Sequence, residues 1–144
     1  MKRDPALVPL SHEHHRALHA AALMKRATAD DAAAVRDEAM AFWDGEGASH
    51  FRIEEDILLP AFAAKGDPRD EAVVRVLVDH VWIRERMERV AADELEPSEL
   101  HELGERLEQH VRHEERVLFP LVEGALEPDA LTALGERIAA AEAS

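Results

Sequence analysis

The chain has 144 residues and a formal net charge of −14, which argues against nucleic acid as a partner because phosphate binding needs clustered Lys and Arg. It contains no Cys and no Tyr, so disulfides, thiolate ligands, iron–sulfur clusters and phenolate ligands are excluded. No apolar run approaches the ~18 residues of a membrane span, and the N-terminus lacks a stretch of signal-peptide length. We therefore expect a single domain over residues 1–144 of a soluble, cytoplasmic protein without membrane partners.

The predicted elements are all helical, because Gly is scarce and Ala, Leu, Glu and Arg dominate. In chain order, the predicted helices run from Ser11 to about Ala27, from Asp30 to about Ala64, from Asp67 and Pro68 to about Leu95, from Pro97 to about Gly124, and from Pro128 onward as a short tail. Gly45 and Gly47 could break the second helix, but the apolar period continues through them and predicts one continuous helix. Short connections between long helices predict an all-α, up-down-up-down four-helix bundle with a short C-terminal fifth helix.

An eleven-residue phrase that begins at His50 returns at His110 with six identical positions. Each copy places a glutamate, Glu54 or Glu114, four residues after its histidine. That spacing puts imidazole and carboxylate on one helix face, one turn apart. Because these groups are typical transition-metal ligands, the repeat indicates a metal centre.

The apolar stripe of each long helix is interrupted by one central histidine, and the second and fourth helices add the glutamates of the repeat. Burying two ionised carboxylates costs several kcal/mol each, and the two would also repel one another. One or two cations between the helices would satisfy all of these groups. The predicted metal ligands are therefore His14, His50, Glu54, His80, His110 and Glu114.

The same stripes predict which neighbouring residues face the core. The stripe of the second helix continues to Ile57, and that of the fourth helix continues to Val117 and Leu121. The stripe of the third helix includes Val73, Leu77, Arg84 and Met87. No outer stripe beyond the tail helix is unusually apolar.

Several other polar residues are left open as contributors to the site. His15 is predicted at its rim, and His113 roughly faces inward. Glu55 and Glu115 point further round their helices and are predicted to lie at solvated edges or to pair with Arg52 and Arg112. Glu46, one turn before His50, is a candidate to orient that imidazole.

The combination resembles a known family, the hemerythrin-like domains, also called HHE cation-binding domains. The resemblance covers nearly the whole chain, and its motifs are Glu13-His14-His15, His50-x-x-x-Glu54, Asp79-His80, His110-x-x-x-Glu114 and the Leu-Leu-Pro and Leu-Phe-Pro endings. It implies a four-helix bundle around a non-haem di-iron centre, with two iron ions bridged by an oxo or hydroxo group. By that similarity the four histidines would be terminal ligands, and Glu54 and Glu114 would bridge the irons.

The chain departs from the family's oxygen carriers at two positions. Arg84 stands where they have a second histidine in the third helix, and their last carboxylate matches Glu115 rather than Glu114. We keep Glu114 because it lies on the stripe and repeats Glu54, with Glu115 as the alternative. A cation at Arg84, if it reaches the centre, would stabilise a bound anionic oxidant by charge-assisted hydrogen bonding.

The resemblance implies a di-iron protein that binds O2 or a related small oxidant, for transport, sensing or storage. One alternative is a di-iron enzyme that acts on peroxide or nitric oxide. Another is a structural or storage bundle that holds zinc or a single ion. We expect no fused output domain, so sensing would need a separate partner, and any redox partner would also be a separate protein.

Overall fold

The computed structural model describes residues 2–144, and every regular element in that range is a helix. A 3-10 turn, Pro5–Leu7, leads into the first long helix, α1 (Val8–Lys25). The second consists of α2 (Ala32–Phe42), α3 (Ala48–Ile53) and α4 (Leu59–Ala63), joined by π-helical turns at Trp43–Gly47 and Glu54–Leu58. The third is α5 (Glu71–Ala91). The fourth consists of α6 (Pro97–His113) and α7 (Phe119–Ala125), joined by a π turn at Glu114–Leu118, and the tail helix is α8 (Pro128–Glu142).

The four long helices pack as a bundle in which each contacts two others. The first helix packs against the second and the fourth, and the third packs against the same two. The tail helix covers one end, where it contacts the 3-10 turn and the π turn at Glu54–Leu58. Within residues 2–144, no helix combines the length and the apolar character that crossing a bilayer would need. The all-helical prediction is thus confirmed, while the extent of the domain stays a prediction.

Two apolar clusters fill the two ends of the bundle. One combines the second half of α1, including Met24, with Phe42, Ile83 and Leu103. The other combines the start of α1 with Leu58, Val76, Phe119 and the tail helix. Each cluster joins opposite halves of neighbouring helices, which is consistent with the up-down-up-down order that we predicted. Polar side chains occupy the central layer between these two clusters.

Two predicted helix starts were wrong because other residues cap the helices. Ser11 lies inside α1, which begins at Val8 after a 3-10 turn capped by the Asp4 side chain. The third helix begins at Glu71 rather than Pro68, because the Asp70 carboxylate accepts a hydrogen bond from the Ala72 N–H. The second helix is continuous through Gly45 and Gly47, as predicted, and a π turn carries it past them.

The π turns after Glu54 and Glu114 move the inward face of both helices by one residue. A π turn inserts an extra residue per turn, so positions beyond it rotate relative to an ideal α-helix. Leu58 and Leu118 are fully buried, whereas Ile57 is partly exposed and Val117 is 46% exposed. The predicted inward position Val117 was therefore wrong, whereas Ile57 and Leu121 are partly buried and pack against the edge of the core. Pro60 and Pro120, which have no N–H to donate, follow the π turns closely.

The third helix also departs from its predicted stripe. Its buried positions include Val76, Ile83 and Met87, whereas Leu77 is exposed. Leu77 lies with Val74, Val78 and Val81 on an outward face. This helix therefore has an apolar outer face that the sequence pattern did not predict.

Candidate metal centre

Six polar side chains meet in the central layer of the bundle and are shielded from solvent. They are at most 5% exposed, and both glutamates are completely buried: His14, His50, Glu54, His80, His110 and Glu114. They form two groups whose potential ligand atoms lie within 4.8 Å of one another, one with His14 and His50 and the other with His80 and His110. Glu54 and Glu114 belong to both groups. The structure thus brings together the six residues named from the sequence, and their role as ligands stays a prediction.

Each glutamate lies between histidines of different helices. Glu114 is 2.8 Å from His14 Nε2 and 3.2 Å from His110 Nε2. Glu54 is 3.1 Å from His50 Nε2 and 3.0 Å from His80 Nε2. All four imidazoles therefore direct Nε2 toward a shared carboxylate at the centre.

The opposite nitrogen of every imidazole contacts an outer carboxylate. The Nδ1–carboxylate distances are 2.6 Å for His14–Glu115, 2.9 Å for His50–Glu13, 2.6 Å for His80–Glu55 and 3.0 Å for His110–Asp79. An Nδ1–H that donates to a carboxylate fixes the tautomer and leaves the Nε2 lone pair for a metal. This double arrangement is typical of histidines that bind metal ions.

The outer carboxylates follow an internal two-fold pattern. Glu13 and Asp79, which precede the lone histidines of the first and third helices, hold the histidines of the repeated phrase. In return, the second glutamates of the phrase, Glu115 and Glu55, hold the lone histidines. The prediction of Glu55 and Glu115 as solvated edges was therefore wrong. An acidic residue directly before each lone histidine was the available signal for Glu13 and Asp79.

Three of the four outer carboxylates are supported by arginines. Arg3 lies 3.1 Å from Glu115, which also accepts from the Ser11 hydroxyl, and Arg84 lies 3.0 Å from Glu55. Asp79 has Arg106 at 3.6 Å and Arg75 at 3.9 Å. Glu13 has no arginine partner among residues 2–144. Arg84 therefore reaches the centre through Glu55, and its guanidinium also lies 5.8 Å from the centroid of the Phe51 ring.

Aromatic rings fix the planes of two imidazoles. Phe51 stacks on His80 with ring centroids 3.8 Å apart, and Phe119 stacks on His14 at 5.5 Å. Both phenylalanines belong to the repeated phrase. The repeat therefore supplies apolar support as well as polar groups.

The metal-free cluster binds protons tightly. Burial disfavours a charged imidazole, but the carboxylates of Glu114, Asp79 and Glu54 together outweigh that effect and raise the pKa of His110 to about 10. Burial likewise opposes ionisation of Glu114, yet the positive charge of His110 lowers the Glu114 pKa well below its usual range. The imidazoles thus neutralise the carboxylates by holding protons where a cation would fit.

Two unpaired atoms test whether a metal fits this cluster. His110 Nε2 and Glu114 Oε2 are buried, lie 3.2 Å apart and form no hydrogen bond. An unsatisfied buried polar group costs roughly 1–3 kcal/mol. A cation that both atoms ligate would remove that cost, so the nitrogen and oxygen donors fit a transition-metal ion.

The other candidates from the sequence lie outside this inner cluster. His113 is buried, but its Nε2 contacts the Ala72 carbonyl at 2.9 Å. His15 is exposed beside His12. Glu46 pairs with Arg16 at 3.0 Å, so the prediction that it orients His50 was wrong.

A cavity of about 10 Å³, room for the centre of one water-sized molecule, adjoins the cluster. Its polar wall includes His14, His50, His110 and Glu114. The apolar wall consists of Ala17, Phe42, Gly47, Phe51, Leu107 and Val111. A Cβ at Gly47 would lie 2.8 Å from the Phe42 and Trp43 rings, so a larger residue does not fit there.

A helical bundle with a buried cluster of histidines and glutamates defines a class of metal-binding proteins. A family model described as the hemerythrin HHE cation binding domain matches residues 7–122, and the chain belongs to this family. The match covers most of the four long helices and all six clustered residues, so the resemblance found in the sequence is confirmed. Searches of curated proteins and of solved structures gave no match.

Proposed function

We propose that the six clustered residues hold two iron ions and that this di-iron centre binds O2 or a related small oxidant. The observation that supports it most directly is the overlap of the two groups, since Glu54 and Glu114 belong to both. Each ion would have two histidines of its own and share two carboxylates as bridges. A bundle built for one ion would not need a second pair of inward histidines. Iron held in this way would supply reversible binding and redox chemistry for small oxidants.

The cavity supports a small exogenous ligand rather than a large substrate. Half of its lining residues are apolar, and its volume of about 10 Å³ leaves room for about one water-sized molecule. His14 and His50 line it, whereas His80 and Glu54 do not. The ligand would therefore lie on the side of His14 and His50.

Arg84 has a different role from the one that the sequence indicated. It does not line the cavity, and its guanidinium donates to Glu55 at 3.0 Å and 3.2 Å. A direct contact with a bound oxidant is therefore not part of the proposal. Arg84 would instead strengthen the Glu55–His80 hydrogen bond.

The second candidate function is an enzyme that reduces peroxide or nitric oxide, reactions that consume protons. It is favoured by Glu142, whose pKa is raised to about 7 by partial burial and by a hydrogen bond with Glu13. Glu13 in turn contacts His50. Such an enzyme would also need a separate redox partner to supply electrons.

Metal analysis of protein produced without added zinc, combined with an optical spectrum in air, tests the proposal. We expect two irons per chain and a charge-transfer band in the near ultraviolet. A carrier gives a colour change with O2 that reverses under vacuum, whereas an enzyme consumes peroxide or nitric oxide catalytically. Fewer than one iron per chain without such a band would exclude the di-iron centre. Replacing both bridging residues, Glu54→Gln with Glu114→Gln, should abolish iron binding.

A further inference from the structure

We propose that small ligands reach the cavity through a surface groove beside the tail helix, that Glu46 is the movable gate, and that the carboxylates there favour neutral ligands over small anions. This inference rests on the proposed binding of a small ligand beside the metal centre. It assigns a route and a selectivity to residues outside the inner cluster.

The cavity meets the surface at two residues. Among the twelve residues that line it, ten are buried, and only Glu13 and Glu46 are partly exposed. The same two residues line a groove of about 560 Å³ between the first helix, the second helix and α8. The remaining walls of the groove include His12, Arg16, Ala139 and Glu142. A molecule entering from this groove has to pass Glu13 and Glu46.

Glu46 is held less firmly than Glu13. Glu13 is held by His50 Nδ1 at 2.9 Å, and its side chain is 14% exposed. Glu46 is held by Arg16, whose side chain is 57% exposed, and an exposed ion pair contributes little to stability. The Glu46 side chain can therefore swing outward without disturbing the inner cluster.

The charge at the entrance selects among small ligands. Glu13, Glu46 and Glu142 line the groove, and Arg16 is the one arginine that lines it with them. The carboxylates of Glu13 and Glu46 outnumber Arg16 even where Glu142 is protonated, so the entrance repels anions and leaves neutral molecules unaffected. Neutral ligands should therefore enter faster than anions of similar size.

Stopped-flow binding to the cobalt(II)-loaded protein tests the route and the charge selectivity at Glu46. The visible ligand-field spectrum of cobalt(II) reports ligand binding and depends neither on iron nor on O2. Hydrogen cyanide, which is neutral at neutral pH, and azide, an anion, are compared as small linear ligands. Far-ultraviolet circular dichroism verifies that each variant keeps its helical content.

The route is tested with Ala139→Phe, which places a ring in the groove. We expect both the association and the dissociation rate of hydrogen cyanide to fall about fivefold or more, with Kd unchanged, because a blocked path slows both directions. Ala140→Phe is the matched control, because Ala140 is also exposed on α8 but does not line the groove. Equal rates in both variants and the unchanged protein would overturn the route.

The selectivity is tested with Glu46→Gln. We expect the association rate of azide to rise roughly threefold to tenfold at low salt, with less than a twofold change for hydrogen cyanide. Asp44→Asn makes the same change of charge in the same π turn, outside both the cavity and the groove, and should leave both rates unchanged. The proposed selectivity would be wrong if Glu46→Gln changed the association rates of azide and hydrogen cyanide equally. It would also be wrong if Asp44→Asn changed the azide rate as much as Glu46→Gln does.

The outcomes separate this inference from the proposed function. If iron binding fails but the cobalt(II) rates change as expected, the route stands and the di-iron proposal falls. If two irons bind but the rates do not respond, the di-iron proposal stands and the route falls. If the cobalt(II)-loaded protein binds neither ligand, the cavity is not a ligand site and the route is wrong.

Discussion

Replacing Asp79 by Asn should weaken metal binding while the bundle stays folded. Asp79 is 3% exposed, and its carboxylate lies 3.0 Å from His110 Nδ1. The Asn oxygen still accepts the Nδ1–H hydrogen bond, so the substitution removes mainly the negative charge behind the imidazole. Mutation of such an outer partner typically lowers metal affinity 10–100-fold, which corresponds to about 1.4–2.7 kcal/mol.

Competition with a chelator for cobalt(II) measures this affinity. Asp37→Asn is the control, because Asp37 is exposed on α2 and should not affect binding. Proton release gives a second readout. Without the Asp79 charge His110 holds its proton less tightly, so fewer protons are released when metal binds at alkaline pH, near the raised pKa of His110. An affinity within twofold of the unchanged protein, with the same proton release, would refute the role assigned to Asp79.

The remaining predictions concern pH, helix packing and the arginine support of the site. In the metal-free protein the pKa of His110 is raised from 6.5 to about 10, so its stabilisation is complete below about 6.5 and is lost as the pH rises toward about 10. The lowered pKa of Glu114 adds stability that is lost as the pH falls below about 4.5. The melting temperature of the metal-free protein should therefore be highest between about pH 4.5 and about pH 6.5. The additional stability from bound metal should instead grow with rising pH, and a parallel decline with and without metal would contradict this assignment. Gly104→Ala should lower the melting temperature by several degrees, because the added Cβ would lie 2.6 Å from the Ala21 carbonyl oxygen. Gly124→Ala is the control. A Cβ at Gly124 would have no atom within 4 Å, so this change should be neutral or slightly stabilising. Arg84→Gln should weaken metal binding less than Asp79→Asn, because Arg84 acts through Glu55, and the same chelator competition measures it.

Much of the central layer follows from local sequence patterns. The four-residue spacing of His50–Glu54 and His110–Glu114 places each pair on one helix face whatever the rest of the chain does. The single inward histidines, His14 and His80, were predicted because they interrupt an apolar stripe. These patterns depend on helix period alone, so they could be read without knowing how the helices pack.

The outer layer could not be predicted in the same way. Glu115 contacts His14, and Glu55 contacts His80, across residues far apart in sequence. Their direction depends on the π turns, which rotate the positions that follow Glu54 and Glu114. The 3.6-residue period of apolar residues, from which the helix faces were predicted, does not reveal a π turn. For this reason Val117 was predicted to face inward although it is exposed.

The sequence by itself therefore determined that the protein is helical and which six polar side chains face its interior, because helix period and burial are local properties. Only the tertiary structure decided how those side chains combine. It showed that Glu54 and Glu114 are shared by two groups and that each imidazole contacts a carboxylate from another helix. It also showed that the cavity meets the surface at Glu13 and Glu46. These properties depend on which helices are neighbours and on their rotation about their axes, and both are set by packing between distant segments.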